Sequence, residues 1–126
     1  MPIGLDHTIV RAKDPTASAR FLSDLLGLPR PTHFGPFEVV ELGNGVSLDY
    51  MHADDITTQH YAFLVSEDEF ESIFDRIRER GLPFWADPGQ RVANEINRHD
   101  GGRGFYWEDP DGHLLEIITR RYGSGH

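Results

Sequence analysis

The sequence predicts an α+β chain made of two similar βαβββ units. Three observations carry that expectation. A β-like segment, a helix-like segment and a run of further β-like segments follow one another in the same order twice. Each run contains a tight turn signal. Residues able to bind a cation stand at equivalent places in the two halves.

In the first half, GLDHTIVRA at 4–12 reads as a strand, with Thr8 and Val10 alternating against His7, Ile9 and Arg11. Asp14-Pro15 then opens a helix, since aspartate is a good N-cap and proline suits the first helical position. Ala19, Leu22, Leu25 and Leu26 recur at helical spacing, and Gly27 ends the helix in the left-handed conformation that glycine adopts without cost. FEVVEL at 37–42 and VSLDYM at 46–51 read as strands, joined through Gly43-Asn44-Gly45. In the second half HYAFLV at 60–65 is a strand, and Ser66 or Asp68 begins a helix carrying Phe70, Ile73, Phe74 and Ile77. Gly81 stops it. LPFWA at 82–86 reads as a short strand or edge, and GFYWE at 104–108 and HLLEIIT at 113–119 as strands joined by Asp109-Pro110-Asp111-Gly112. The expected organisation is a single domain, with unit one spanning about 4–52, unit two about 57–120, and a flexible tail at 121–126. DPGQRVANEINRHDGG, between Asp87 and Gly102, lacks periodicity, as functional or mobile loops do.

Composition narrows the function. A chain of 126 residues suits one domain, and 38% hydrophobic with 26% charged residues is ordinary for a globular protein. A net charge of −9 argues against nucleic acid and against an anionic membrane surface. No apolar run approaches the roughly 20 residues of a membrane helix, and MPIGLDHTIVRAKD lacks the apolar core of a signal peptide. The absence of cysteine leaves no thiolate metal site. A cytoplasmic protein is expected.

The chemistry concentrates on four residues. His7 and His60 open the first strand of their units, and Asp49 and Glu116 fall in the middle of the last strands. Strand parity sets bulky Leu48 and Tyr50 against Asp49, and Leu115 and Ile117 against Glu116, so each acid faces away from its apolar neighbours. A buried carboxylate in HLLEIIT needs a metal or a cation. His33, His52, His99, His113 and His126 show no such matching and read as surface or loop residues. Arg91, Arg98 and Arg103, in the Gly-rich stretch, are candidates to meet an anionic group.

The order of an early His, H-x-A-F at 60–63 and DPDGHLLE at 109–116 resembles the vicinal oxygen chelate superfamily, which includes glyoxalase I, fosfomycin- and bleomycin-resistance proteins and extradiol dioxygenases. The likeness spans the chain, and DPDGH-x-x-E is its most specific piece. It implies two βαβββ units forming a partly closed mixed or antiparallel barrel around a central cavity, in a homodimer. It implies one divalent metal, Zn, Ni, Mn or Fe, held by His7, His60 and Glu116. Asp49 falls where glyoxalase I has a glutamate ligand; one methylene shorter, it is expected beside the metal, either supporting a ligand or as a catalytic base. Tyr106 matches a tyrosine that contacts substrate in the fosfomycin enzymes, and Arg103 is a second candidate for binding substrate. Ile9 stands where those enzymes have a threonine, which argues against fosfomycin itself.

Two imidazoles and a carboxylate leave coordination positions open for substrate. The implied function is metal-dependent chemistry on a small molecule chelated through vicinal oxygens, as an isomerase, lyase or transferase. The alternatives are a non-catalytic protein that sequesters a drug or metabolite, and an Fe(II) dioxygenase.

Overall fold

Where each strand begins and ends follows from turn chemistry and from which face can be covered by a helix. In the computed structural model, which describes residues 2–125, the elements are β1 (His7–Ala12), α1 (Pro15–Leu26), β2 (Thr32–Phe34), β3 (Phe37–Glu41), β4 (Ser47–His52), β5 (His60–Leu64), α2 (Glu67–Glu79), β6 (Gly104–Glu108) and β7 (Leu114–Ile118). The protein is α+β, with two mixed sheets. It divides into two compact units, residues up to Thr57 and residues from Thr58 onward. Among the described residues no helix is long and apolar enough to cross a membrane.

In the first unit the sheet order is β1-β4-β3-β2, with β1 parallel to β4 and the other pairs antiparallel. Asp14 caps α1 by accepting the Ala17 N–H at 3.1 Å, and Gly27 closes it at φ 70°. Ala19, Leu22 and Leu25 are fully buried where α1 packs on β3 and β4, whose Val40, Leu48 and Tyr50 are buried as well. Gly45 turns the β3–β4 hairpin at φ 82°, a value that favours glycine. The strand expected over 4–12 begins only at His7. β2 was not anticipated: THF is exposed throughout, so no face of it alternates in hydrophobicity.

In the second unit the order is β5-β7-β6, with β5 parallel to β7. Ser66, not Asp68, caps α2: it accepts the Glu69 N–H at 3.1 Å, and the Glu69 carboxylate accepts the Ser66 N–H at 2.7 Å. The strand expected over 82–86 shrinks to one bridging residue. Trp85 exchanges backbone bonds with Tyr106 at 2.9 and 2.8 Å, but Pro83 and Pro88 have no N–H for a longer ladder. This unit is therefore βαββ with a bridge where the first unit has β2.

The loop that follows has its own hydrogen bonds. Asp87 accepts the Arg91 and Val92 N–H groups at 2.9 and 2.8 Å, and the Asn97 amide donates to the Ala86 carbonyl at 2.9 Å.

Phe105, fully buried, is the hub of the second core, its ring 5.4 to 5.6 Å from those of Phe70, Phe74, Phe84 and Trp107. Phe105→Ala should cost about 3–5 kcal/mol, read as a lower denaturant midpoint at unchanged slope. A loss below about 1 kcal/mol would mean that this cluster is not what holds the unit.

Candidate metal centre

The register of the second sheet gathers one polar group. β7 pairs Glu116 with Ala62 of β5 and with Tyr106 of β6, and His60 lies two residues before Ala62, so all three side chains leave the same face. Leu115 and Ile117 point the other way into the core. Glu116 is 0% exposed, and its Oε1 lies 3.0 Å from His60 Nε2.

Second contacts fix the chemistry of this pair. His60 Nδ1 donates to the Leu114 carbonyl at 3.0 Å. In a neutral imidazole that leaves a lone pair on Nε2, facing a carboxylate that can only accept. Two acceptors 3.0 Å apart need a cation between them, either a proton or a metal. A metal fits: two ligands about 2.1 Å from one ion subtend about 90° at that separation, the angle between neighbouring ligands of an octahedral site. A backbone carbonyl behind the ring is also the usual support of a metal-ligating histidine.

The other carboxylate oxygen is occupied as well. The Tyr122 hydroxyl donates to Glu116 Oε2, and lies 3.0 Å from the Tyr106 hydroxyl. The Tyr106 ring stacks on His60 with centroids 5.9 Å apart. Burial raises the pKa of both phenols, reinforced by the Glu116 carboxylate beside them, so each keeps a proton to donate near neutral pH.

The first unit holds a comparable arrangement on β1 and β4. His7 Nδ1 is 2.7 Å from Asp6 Oδ2, which leaves its Nε2 free, the carboxylate–histidine pairing common behind a metal ligand. That hydrogen bond, with the charge of Asp49, raises the pKa of His7. Asp49 Oδ1 accepts the Ser47 hydroxyl at 2.8 Å. Among the described residues no three His, Asp or Glu side chains form a ready group for a metal ion, so the expected set of His7, His60 and Glu116 is represented by the His60–Glu116 pair of the second unit.

Of the candidates in that unit, His60, Glu116 and Tyr106 are brought together and Arg103 is not. Arg103 lies over the Phe70 ring, 4.3 Å from its centroid, and pairs with Glu67 at 3.1 Å and with Glu71, on the helix side of the sheet. His113 corrects its reading as a surface or loop residue. It is 1% exposed, its Nδ1 accepting the Gln59 N–H at 2.9 Å, because Asp109 Oδ1 takes the Asp111 and His113 N–H groups and turns the imidazole inward. His126 lies outside the described residues. Two contributors were missed: Asp6, legible as the neighbour of His7, and Tyr122, which no motif marks.

The family model of the Glyoxalase/Bleomycin resistance protein/Dioxygenase superfamily matches residues 4–117. The chain belongs to this superfamily. It is 62% identical to the solved structure of the oxidase ChaP-H2, with a TM-score of 0.97 and full coverage of both chains. Oxidase ChaP-H1 is equally similar at 62% identity and TM-score 0.95, over 97% of this chain and 99% of that one. A glutathione transferase FosA of Serratia marcescens is 30% identical over 120 residues, 90% of this chain and 78% of the relative. The superfamily thus relates this chain to oxidases across its whole length and to a transferase at lower identity.

The carboxylate can be separated from its shape. In Glu116→Gln the amide still accepts from Tyr122 and donates to His60 Nε2, so metal-free stability should hold or rise. Glu116→Ala orphans both partners and should cost about 1–3 kcal/mol by thermal or chemical unfolding. Equal losses in the two variants would assign the charge a structural role.

Proposed function

We propose that the chain is a metal-dependent oxidase of a small organic substrate that offers two adjacent oxygens, with dioxygen as the oxidant. The observation that carries the reading is 62% identity over the full length of oxidase ChaP-H2. The donor set supports it. His60 and Glu116 would hold the ion, and His7, backed by Asp6 as His60 is backed by the Leu114 carbonyl, presents a second imidazole of the same kind in the first unit. Two histidines and a carboxylate suit Fe²⁺. When bound, the ion supplies a Lewis acid for the substrate oxygens and a route for electrons to dioxygen.

The chain's own groups do the rest. His60 and Glu116 keep their lone pairs aimed at one point because the Leu114 carbonyl and Tyr122 hold their far sides. Asp49, steadied by Ser47, is the base that takes a proton from a substrate hydroxyl. The Tyr106 oxygen, whose own proton points to Tyr122, accepts a hydrogen bond from the substrate. Arg103, held by Glu67 and Glu71, has no part in this reading. The 30% identity to a glutathione transferase supports a second reading, metal-assisted group transfer to an electrophile.

Protein purified without added metal should carry close to one Fe per chain, or regain it from Fe²⁺ under anaerobic conditions. It should then consume dioxygen with a catechol. Two-electron oxidation returns one hydrogen peroxide per dioxygen, whereas insertion of both oxygen atoms returns none. His60→Ala should lose both metal and oxygen uptake. A protein that holds no metal, and that His60→Ala leaves unchanged, would sink the oxidase reading; metal without oxygen uptake, but with glutathione consumption, would favour the transferase.

A further inference from the structure

We propose that Tyr122 is a positioning residue of the metal centre: its phenol engages Glu116 Oε2 so that Oε1 alone faces His60 Nε2 and the ion. This rests on the reading of His60 and Glu116 as ligands.

A carboxylate accepts but does not donate, so Tyr122 supplies the proton of its bond to Glu116. The Tyr122 oxygen is then the acceptor for the Tyr106 hydroxyl, 3.0 Å away. The result is a directed chain from Tyr106 through Tyr122 to Glu116. It engages one carboxylate oxygen from the tail side, while His60 Nε2 faces the other. The terminal torsion of a free glutamate is broad and nearly two-fold, so without this bond either oxygen, or both, could turn to an ion. One engaged oxygen leaves a single-oxygen ligand and keeps a coordination position for a substrate that chelates through two.

Apolar burial does not account for where Tyr122 sits, since the residue is 58% exposed. The tail that carries it is held by polar bonds instead. Arg120 donates to the Ser124 carbonyl at 2.8 Å, the Ser124 N–H to the Arg121 carbonyl at 3.1 Å, and the Gly125 N–H to Asp100 Oδ1 at 3.2 Å. The strap thus ties the segment after β7 to the loop before β6 and sets the phenol over Glu116. Phenylalanine at this position would keep the ring and lose the hydroxyl, which both donates to Glu116 and accepts from Tyr106.

The test uses full-length protein stripped of metal and titrated with Co²⁺ against a chromophoric chelator, with the visible d–d spectrum recorded. Tyr122→Phe should weaken Co²⁺ binding roughly 10- to 100-fold and alter the spectrum, as loss of an outer partner of a ligand does, while the metal-free protein stays folded with a modestly lowered melting temperature because Glu116 Oε2 loses its donor. Tyr122→Leu, lacking the ring as well, should match it in affinity. An unchanged constant and spectrum in Tyr122→Phe, with His60→Ala unable to bind, would overturn the role of Tyr122 and leave the ligands standing. Weakening by Tyr122→Leu alone would also overturn it, by reducing the residue to ring packing. A parent that takes up no Co²⁺ would overturn both readings together.

Discussion

The constraint on which the rest depends is the buried carboxylate of Glu116. It sits in the central strand of a sheet, flanked in sequence by Leu115 and Ile117, and no part of it is exposed. A charge in that position is costly unless it is met by hydrogen bonds and a counter-charge. The side chains around it answer that need: an imidazole nitrogen at one oxygen, a phenol at the other, and a second phenol behind the first. Such a concentration of polar groups costs stability that a leucine would not, and proteins keep it where it serves a ligand.

The repeat explains how the fold supplies these groups. In both units the first strand is parallel to the last, which puts the opening histidine and the mid-strand acid on one face of neighbouring strands. Helices cover the opposite faces, which is why Leu48, Tyr50, Leu115 and Ile117 are buried while the acids are free to be polar. The two histidines are also backed alike, each with Nδ1 tied to an oxygen so that Nε2 is the nitrogen left for a ligand. Parity and register within each sheet, rather than long-range adjustment, put each histidine and its acid on one face.

Most of this was legible because it depends on local rules. Alternation at 46–51 and 113–119, the Gly43-Asn44-Gly45 and Asp109-Pro110-Asp111-Gly112 turns, and the caps at Asp14 and Ser66 are all encoded within a few residues. The failures share a cause. β2 is an exposed edge whose pairing depends on β3, not on its own residues, and the 82–86 segment is cut short by its prolines. His113 is buried by a backbone turn that composition does not register. Tyr122 stands in a Gly- and Ser-rich tail with no periodicity. Its one signal was indirect, namely that a buried glutamate has more acceptor capacity than a single histidine can satisfy.

The central claim is that His60 Nε2 and Glu116 Oε1 are brought to 3.0 Å by a shared need for a cation, and that the cation is a metal. The most direct measurement is anomalous diffraction from crystals soaked with Fe²⁺ or Co²⁺ without oxygen. An anomalous peak is expected about 2 Å from both atoms, with Tyr122 still bonded to Glu116 Oε2. A fully metallated solution showing no peak at this pair, with His60 and Glu116 joined only by a proton, would contradict it.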